Sequence, residues 1–257
     1  MTEDQVRERL RTGGIEAARL EAARLCERLS GEALAAAVER RCGGYPLQYL
    51  LGEWDFYRQT YEVGEACLIP RADTEILVEQ AIKCLPENGR LLDLCTGSGC
   101  VAISTLCERP DLTGVAVDLF DETLALAARN AVRNGVADRL TLRIADVLQP
   151  PSGELRQGVF DAIISNPPYI RNDVVPTLQT EVQHEPSAAL CGGEDGLDFY
   201  RAILREWRCL LAPDGVILLE IGYDQATALA ALAEKYGFSC TVFKDFGGND
   251  RVVLLKK

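Results

Sequence analysis

The chain has 257 residues, 47% hydrophobic and 26% charged, an ordinary balance for a globular protein of one large or two smaller domains. No run reaches the roughly 18 apolar residues of a membrane helix, and MTEDQVRERL has neither a signal core nor the acid-poor character of a transit peptide, so a cytoplasmic location is expected. With 27 basic against 39 acidic residues the net charge is −12, which weighs against a protein that binds by neutralising phosphates.

The first forty or so residues read as helical. Ile15, Ala18, Ala22, Leu25 and Leu29 recur at three- and four-residue steps, and Leu34, Val38 and Cys42 continue on a second helix that Gly43-Gly44 stops. EWDFYRQTYEV, with aromatic and β-branched residues among polar ones, suggests a hairpin. ACLIPRADTEILVEQAIKCL then turns from extended to helical, with Asp73 or Thr74 as the expected cap.

Beyond Gly89 strands alternate with helices. RLLDLC, TGVAVDL, TLRIADV, FDAIISN, VILLEIG, SCTVFKD and RVVLLKK read as strands. A helix capped by Asp121 and stopped by Gly135 lies between the second and third, and a long helix from Leu197 is expected to end at Pro213-Asp214-Gly215. Such alternation indicates an α/β fold with a doubly wound, mostly parallel sheet. The Gly247-Gly248-Asn249-Asp250 turn pairs the last two strands as an antiparallel edge hairpin.

Ten cysteines, none spaced C-x-x-C, and a single histidine, His184, make no metal-ligand cluster, so no metal is expected. The thiols read as small hydrophobes of a reduced core.

Two motifs carry chemistry. In LLDLCTGSGCVAIS, Gly97 and Gly99 stand between a strand and a helix, whose free N–H groups attract an anion. Asp118 ends the next strand, where an acid binds ribose hydroxyls. This points to an adenosine-containing cofactor and leaves NAD and S-adenosylmethionine both open. Asp93 and Asp146, the latter expected to end the third strand, add negative charge, which suits an ammonium and a sulfonium better than a pyrophosphate. A turn or cap role for Asp93 remains equally open.

The second motif is Asn166-Pro167-Pro168-Tyr169, at the carboxyl end of FDAIISN. A planar amino group is a poor nucleophile because its lone pair is delocalised. Acceptors on both of its N–H bonds hold it and favour the charge that develops on it. Asn166 Oδ1 is one expected acceptor and the Pro167 carbonyl the other, with Tyr169 offering an aromatic face to the planar group. An in-line displacement on a sulfonium then needs alignment rather than a strong base.

With YPLQYLLGEWDFY, LIPRADTEILVE, DLCTGSG, NPPY, EPSAALCGGEDGLDFYR and DRVV, most of the chain from about Tyr45 onward resembles the release-factor glutamine methyltransferase family. NPPY alone is shared with DNA adenine methyltransferases; the segments at 45–79 and 185–201 point to the glutamine branch. The resemblance implies an S-adenosylmethionine-dependent, Rossmann-like fold with a seven-stranded sheet at 76–257. A helical substrate-recognition domain at 1–44 and a hairpin or linker at 45–75 precede it. It implies a class-1 peptide chain release factor as protein partner, methylated on the glutamine of its Gly-Gly-Gln motif, with S-adenosylhomocysteine as the other product and no nucleic acid or membrane partner. Cys95, Thr96, Gly97, Ser98, Gly99, Asp118, Asp146, Val147 and Asn166 are then cofactor contacts. Asn166, Pro167, Pro168 and Tyr169 form the glutamine pocket, with Asn166, Pro167 and Tyr169 catalytic.

Two positions depart from the family pattern. Cys95 replaces a glycine and fits if its φ is negative, and Ala72 replaces a proline in a segment expected near the pocket. An adenine-N6 methyltransferase is the competing enzyme, disfavoured by the net charge and the lack of a Lys/Arg-rich run. A dehydrogenase leaves NPPY without a role. A non-catalytic adaptor that binds a translation factor is the remaining alternative, and methylation itself separates the two.

Overall fold

The computed structural model describes residues 1–257. Four helices open the chain: α1 (Glu3–Thr12), α2 (Ala18–Arg28), α3 (Gly31–Cys42) and the single turn α4 (Leu47–Leu51). The region of α1 is expected to be helical, but its face has no readable period, because EDQVRERLRT offers only two apolar positions. Those two, Val6 and Leu10, lie four residues apart and are fully buried. Thr2 and Gln5 close a reciprocal capping box at its start. The periodicity at residues 15–29 belongs to α2 alone, since Ile15 precedes the helix and Leu29 follows its last turn.

Val6, Leu10, Ala22, Leu25, Leu34 and Val38 form a small core of their own. Inside it Arg41 donates to Glu21 at 2.6 Å, with side chains 6% and 10% exposed. Arg41 also reaches Glu181, at 2.8 Å, in a distant loop.

Strands β1 (Glu53–Phe56) and β2 (Gln59–Glu62) form the expected hairpin, with Tyr57 at φ 57° in its two-residue turn. Phe56 and Tyr61 pack into the main core, while Trp54 touches both cores. The hairpin thus fastens the helical cluster to the sheet.

The caps expected for α5 (Glu75–Cys84) are not used as caps. A short 3₁₀ turn, Ala72–Thr74, precedes it, the Asp73 carboxylate pairs with Arg251 at 3.3 Å, and the Thr74 hydroxyl accepts from Asn166. Tertiary partners outcompete the local bond.

From here the chain runs β3 (Arg90–Leu94), α6 (Cys100–Glu108), β4 (Thr113–Asp118), α7 (Asp121–Arg133), β5 (Leu140–Ile144), β6 (Phe160–Ser165), α8 (Asp198–Ala202), β7 (Leu211–Glu220), α9 (Ala226–Glu234), β8 (Ser239–Lys244) and β9 (Asp250–Lys256). The seven-stranded sheet has the order β5-β4-β3-β6-β7-β9-β8; β5 through β7 are parallel and β9 is antiparallel to both neighbours. The edge hairpin is as expected. Central strands are buried on both faces and read as near-continuous apolar runs. Leu91, Ala116, Ile164 and Leu218 point to the side of α5 and α6, and Leu92, Val117, Ile163 and Leu219 to the other.

Three local expectations are corrected. Asp121 is the first residue of α7 rather than its cap, and makes no capping bond. Strand β5 ends at Ile144, so Asp146 lies in the loop beyond it. Helix α8 loosens into a π-turn at Ile203–Trp207 and a 3₁₀ turn at Arg208–Leu210. The chain then enters β7 before Pro213. Leu211 pairs with Phe160 and Val216 with Ala162, so Pro213-Asp214-Gly215 bulges from the ladder, where a residue without an N–H is tolerated. No helix is long and apolar enough to cross a membrane.

Removing one partner of a buried ion pair leaves an uncompensated charge, a loss of about 3 kcal/mol or more. Glu21→Ala should therefore lower the urea-unfolding free energy by about 3 kcal/mol. A Glu21→Met, Arg41→Met double variant should lose much less. Equal losses would show that packing rather than charge holds α2 against α3.

Candidate active site

Strands β3, β4 and β5 step outward in one direction and β6 and β7 in the other, so the connections part at the carboxyl ends of β3 and β6. Ligands of open α/β sheets bind at such a switch point. A cavity of about 340 Å³ opens here. Of the expected residues, Cys95, Thr96, Gly97, Ser98, Asp118, Asp146, Val147, Asn166 and Pro168 line it. Gly99, Pro167 and Tyr169 stand behind its wall.

The loop after β3 is held by its neighbours. The Thr96 N–H donates to the Val117 carbonyl at 3.0 Å, and the Gly97 N–H to Asp118 Oδ2 at 3.0 Å. Asn130 Nδ2 donates to the Ser98 carbonyl at 2.9 Å. Gly99 has φ 82°, and a Cβ there would lie 2.7 Å from Ile103 Cδ1, so glycine is required where α6 begins. Cys95 contradicts the expectation of negative φ: it sits at 58°, in the left-handed region. A side chain there costs about 1–2 kcal/mol, which the surrounding bonds must offset. Ala72 is exposed and outside the cavity wall, so that departure leaves the site untouched.

The cavity is negative. Asp93, Asp118 and Asp146 line it, while the one basic residue in its wall, Arg71, is paired with the buried Glu185. Asp93 is 1% exposed, and burial pushes its carboxyl up to about 7 against the lowering effect of the Thr96 hydroxyl, which donates to it at 2.6 Å. It lies within β3 and lines the cavity, so it is not a turn residue. Burial also raises Asp118, opposed by the N–H groups of Gly97 and Phe120. Asp146 accepts from the Leu148 N–H at 2.9 Å and shapes the turn that carries Val147. Ser98 Oγ is buried at the cavity wall with no partner. The carboxylates suit the cationic end of a ligand, and the unpaired hydroxyl and the N–H groups at the start of α6 an anionic group beside it.

Asn166 stands at the cavity mouth after β6. Its Nδ2 donates to Thr74 Oγ1 at 3.2 Å, and no group of the protein donates to its Oδ1. The Pro167 carbonyl is likewise free of any protein donor. Pro167 and Pro168 are buried. Tyr169 is anchored from both ends: its hydroxyl donates to Glu220 Oε1 at 3.4 Å, and its carbonyl accepts from Gln225 Nε2 at 3.0 Å.

Several functional positions escaped the sequence reading. Arg71, Thr74, Pro186, Ala188, Cys191 and Phe199 wall the cavity from segments 68–79 and 185–201, to which the sequence reading assigns no contact with cofactor or substrate. Glu185 ties the two segments together, accepting from the Ile69 N–H at 3.0 Å and from Arg71. Gly192 lies against the proline turn, where a Cβ would sit 2.6 Å from Tyr169 Cα. Leu119 and Phe120, about half exposed, follow Asp118 along the rim; two apolar residues after a strand-ending acid were the available signal. Trp207 Nε1 holds the Val147 and Gln149 carbonyls, at 2.9 and 3.1 Å.

Because Asp93 is raised on folding, it contributes stability that is fully present below its unfolded value near 4 and is lost as pH rises through about 7. The ligand-free protein should therefore unfold at lower denaturant as pH goes from 6 to 8.5, and Asp93→Asn should show a shallower decline. Parallel pH dependences for the two proteins would remove Asp93 as its source.

The methyltransferase small domain family matches residues 72–190. A release factor glutamine methyltransferase of Moorella thermoacetica is 40% identical over 269 aligned residues, covering 96% of this chain and 94% of that protein. One of Thermodesulfovibrio yellowstonii is 40% identical, covering 87% and 81%. A solved methyltransferase of Pyrococcus furiosus has a TM-score of 0.57 at 20% identity, covering 76% of this chain and 87% of that one, which shows the shared fold. With 40% identity along nearly the whole length of such relatives, the chain belongs to the release factor glutamine methyltransferase family.

Proposed function

We propose that the chain transfers a methyl group from S-adenosylmethionine to the side-chain amide nitrogen of the glutamine in the Gly-Gly-Gln motif of class-1 peptide chain release factors. One observation carries this reading. Asn166 Oδ1, in the wall of an acidic cavity, and the carbonyl of the adjacent Pro167 are acceptors without protein donors. A primary amide has two N–H bonds, and these are the two acceptors it needs. A cytoplasmic location goes with a translation-factor partner.

The cofactor fits the residues present. Asp118 would accept from the ribose hydroxyls, with Leu119, Phe120 and Val147 flanking the base and Asp146 at the turn beside it. Asp93, the backbone of residues 95–99 and the unpaired Ser98 hydroxyl would take the amino-acid end. When bound, S-adenosylmethionine supplies a methyl group made electrophilic by its sulfonium. Asn166 and Pro167 hold the substrate nitrogen, draw on its N–H bonds and so favour the positive charge that grows there as its lone pair is used. Pro168 and the anchored Tyr169 fix the turn that aims both acceptors. The extra proton on the methylated nitrogen is acidic enough to leave to water, so no strong base is required.

Asn166→Ala should slow single-turnover methylation by about 10²–10³-fold, as for loss of a preorganised transition-state hydrogen bond. Asn166→Asp keeps an acceptor and should retain part of the rate. Near-normal turnover by a folded, cofactor-binding Asn166→Ala protein would reduce the residue to a role in the turn.

Labelled methyl transfer should be seen with a folded release factor and not with its glutamine-substituted variant or with double-stranded DNA. A short Gly-Gly-Gln peptide should be a much poorer substrate, because remote contacts, for which helices α1–α3 are the candidates, position the glutamine. Label in DNA would favour the adenine reading, and label nowhere the adaptor. Equal turnover of peptide and protein would leave the N-terminal helices a structural part only.

A further inference from the structure

An amide side chain has two ends of nearly the same shape, and only its oxygen end can hold a substrate N–H. The group that decides which end of Asn166 faces the cavity therefore decides whether the site works. Thr74 is the side chain hydrogen-bonded to this amide. A hydroxyl has one hydrogen and two lone pairs. At 3.2 Å from Asn166 Nδ2, Thr74 Oγ1 spends a lone pair on the amide, and its hydrogen must point elsewhere.

The Thr74 hydroxyl makes no second hydrogen bond in the structure, and the carboxyl that it neighbours is Glu220. Glu220, at the carboxyl end of β7, is 2% exposed, and its Oε2 is buried without a partner. Its Oε1 receives the Tyr169 hydroxyl at 3.4 Å, and its backbone carbonyl receives the Tyr200 hydroxyl at 2.9 Å. The charged groups around it are Arg251 on β9 and Asp73 before α5, with Asp245 held by Arg251 from the far side at 3.0 Å. The acceptors assigned above to substrate binding leave Glu220 without a task, although it is a wholly buried carboxyl bonded to Tyr169 of the same turn.

We propose that Glu220 is a positioning residue that, through the Thr74 hydroxyl, sets which end of the Asn166 amide faces the reacting nitrogen. An ionised carboxylate only accepts, so it draws the hydrogens of both Thr74 and Tyr169. Thr74 is then left as an acceptor, Nδ2 turns toward it, and Oδ1 faces the cavity. A protonated carboxyl permits the reverse chain: it donates to Thr74, Thr74 donates to Asn166 Oδ1, and the amide presents its NH₂ to a substrate that needs an acceptor. Burial pushes Glu220 up to about 7, with Asp73 adding to the rise and Thr74, Arg251 and Tyr169 opposing it, so the reversal falls in the neutral range.

The inference rests on the proposed function, and the test separates the two. With saturating cofactor and a release factor, single-turnover rates of wild type should fall below pH 7, following one proton. Glu220→Gln should lower the pH 8 rate by about tenfold, the worth of one hydrogen bond, and should flatten the acid limb. Flattening excludes Asp93, which titrates in the same range but is intact in this variant. Thr74→Val should lose a similar factor in the single-turnover rate, and Thr74→Ser should recover most of it. Rates for Glu220→Gln and Thr74→Val within twofold of an active wild type would overturn the proposal. A wild type that methylates no glutamine would instead overturn the functional reading. The side-chain amide signals of Asn166 then still decide the inference. Contact between its amide protons and the Thr74 methyl should be strong at pH 8.5 and weak at pH 6, and a contact independent of pH would refute it.

Discussion

The divergence of the chain at the carboxyl ends of β3 and β6 is the constraint on which everything else rests. Two neighbouring parallel strands whose connections leave in opposite directions cannot be covered by a single loop, so the sheet is left with a crevice. The crevice receives the loop at 95–99 from one strand and Asn166 to Tyr169 from the other. Cofactor loop and substrate acceptors are thus neighbours because β3 and β6 are, with Leu94 paired to Ser165 and the Ser165 hydroxyl donating to the Leu94 carbonyl at 2.6 Å. The helical cluster, the hairpin and the loop from 171 to 196 are fastened around that crevice by contacts such as Arg41 with Glu181 and Arg71 with Glu185.

Local signals were legible in the amino-acid sequence and distant ones were not. Alternation, the glycine loop, the acid at 118 and the proline turn are each written within a few residues, and the structure brings the last three together. The inner face of α1 was not legible, because it consists of two side chains in a charged segment. Asp73, Thr74 and Asp121 looked like caps because cap propensity is local, while the bonds that Asp73 and Thr74 form come from residues 251 and 166. The positive φ of Cys95 was hidden for the same reason: a strained backbone is set by what surrounds it. Pro213 read as a stop, and became a bulge only through the register of β6 against β7.

Two buried carboxyls, Asp93 and Glu220, are each held near the point of neutralisation by burial. Neither helps the fold at neutral pH, since a buried charge without a full set of partners is unfavourable. Asp93 lies in the cavity wall near the end of β3 and Glu220 at the end of β7, and a fold retains such groups when they serve a ligand or a neighbour instead. Tyr200, Tyr169, Gln225 and Arg251 are the framework around the second of them.

Strand β9 is the last of the nine strands in the chain, yet it lies inside the sheet, between β7 and β8. It delivers Arg251 to Asp73, Asp245 and the neighbourhood of Glu220, and its Arg251 carbonyl pairs with the N–H of Ile221. The support behind Thr74 and Tyr169 therefore comes from a strand far along the chain from the acceptors themselves, so a change in the pairing of β9 with β7 would disturb the site without touching any residue that lines it.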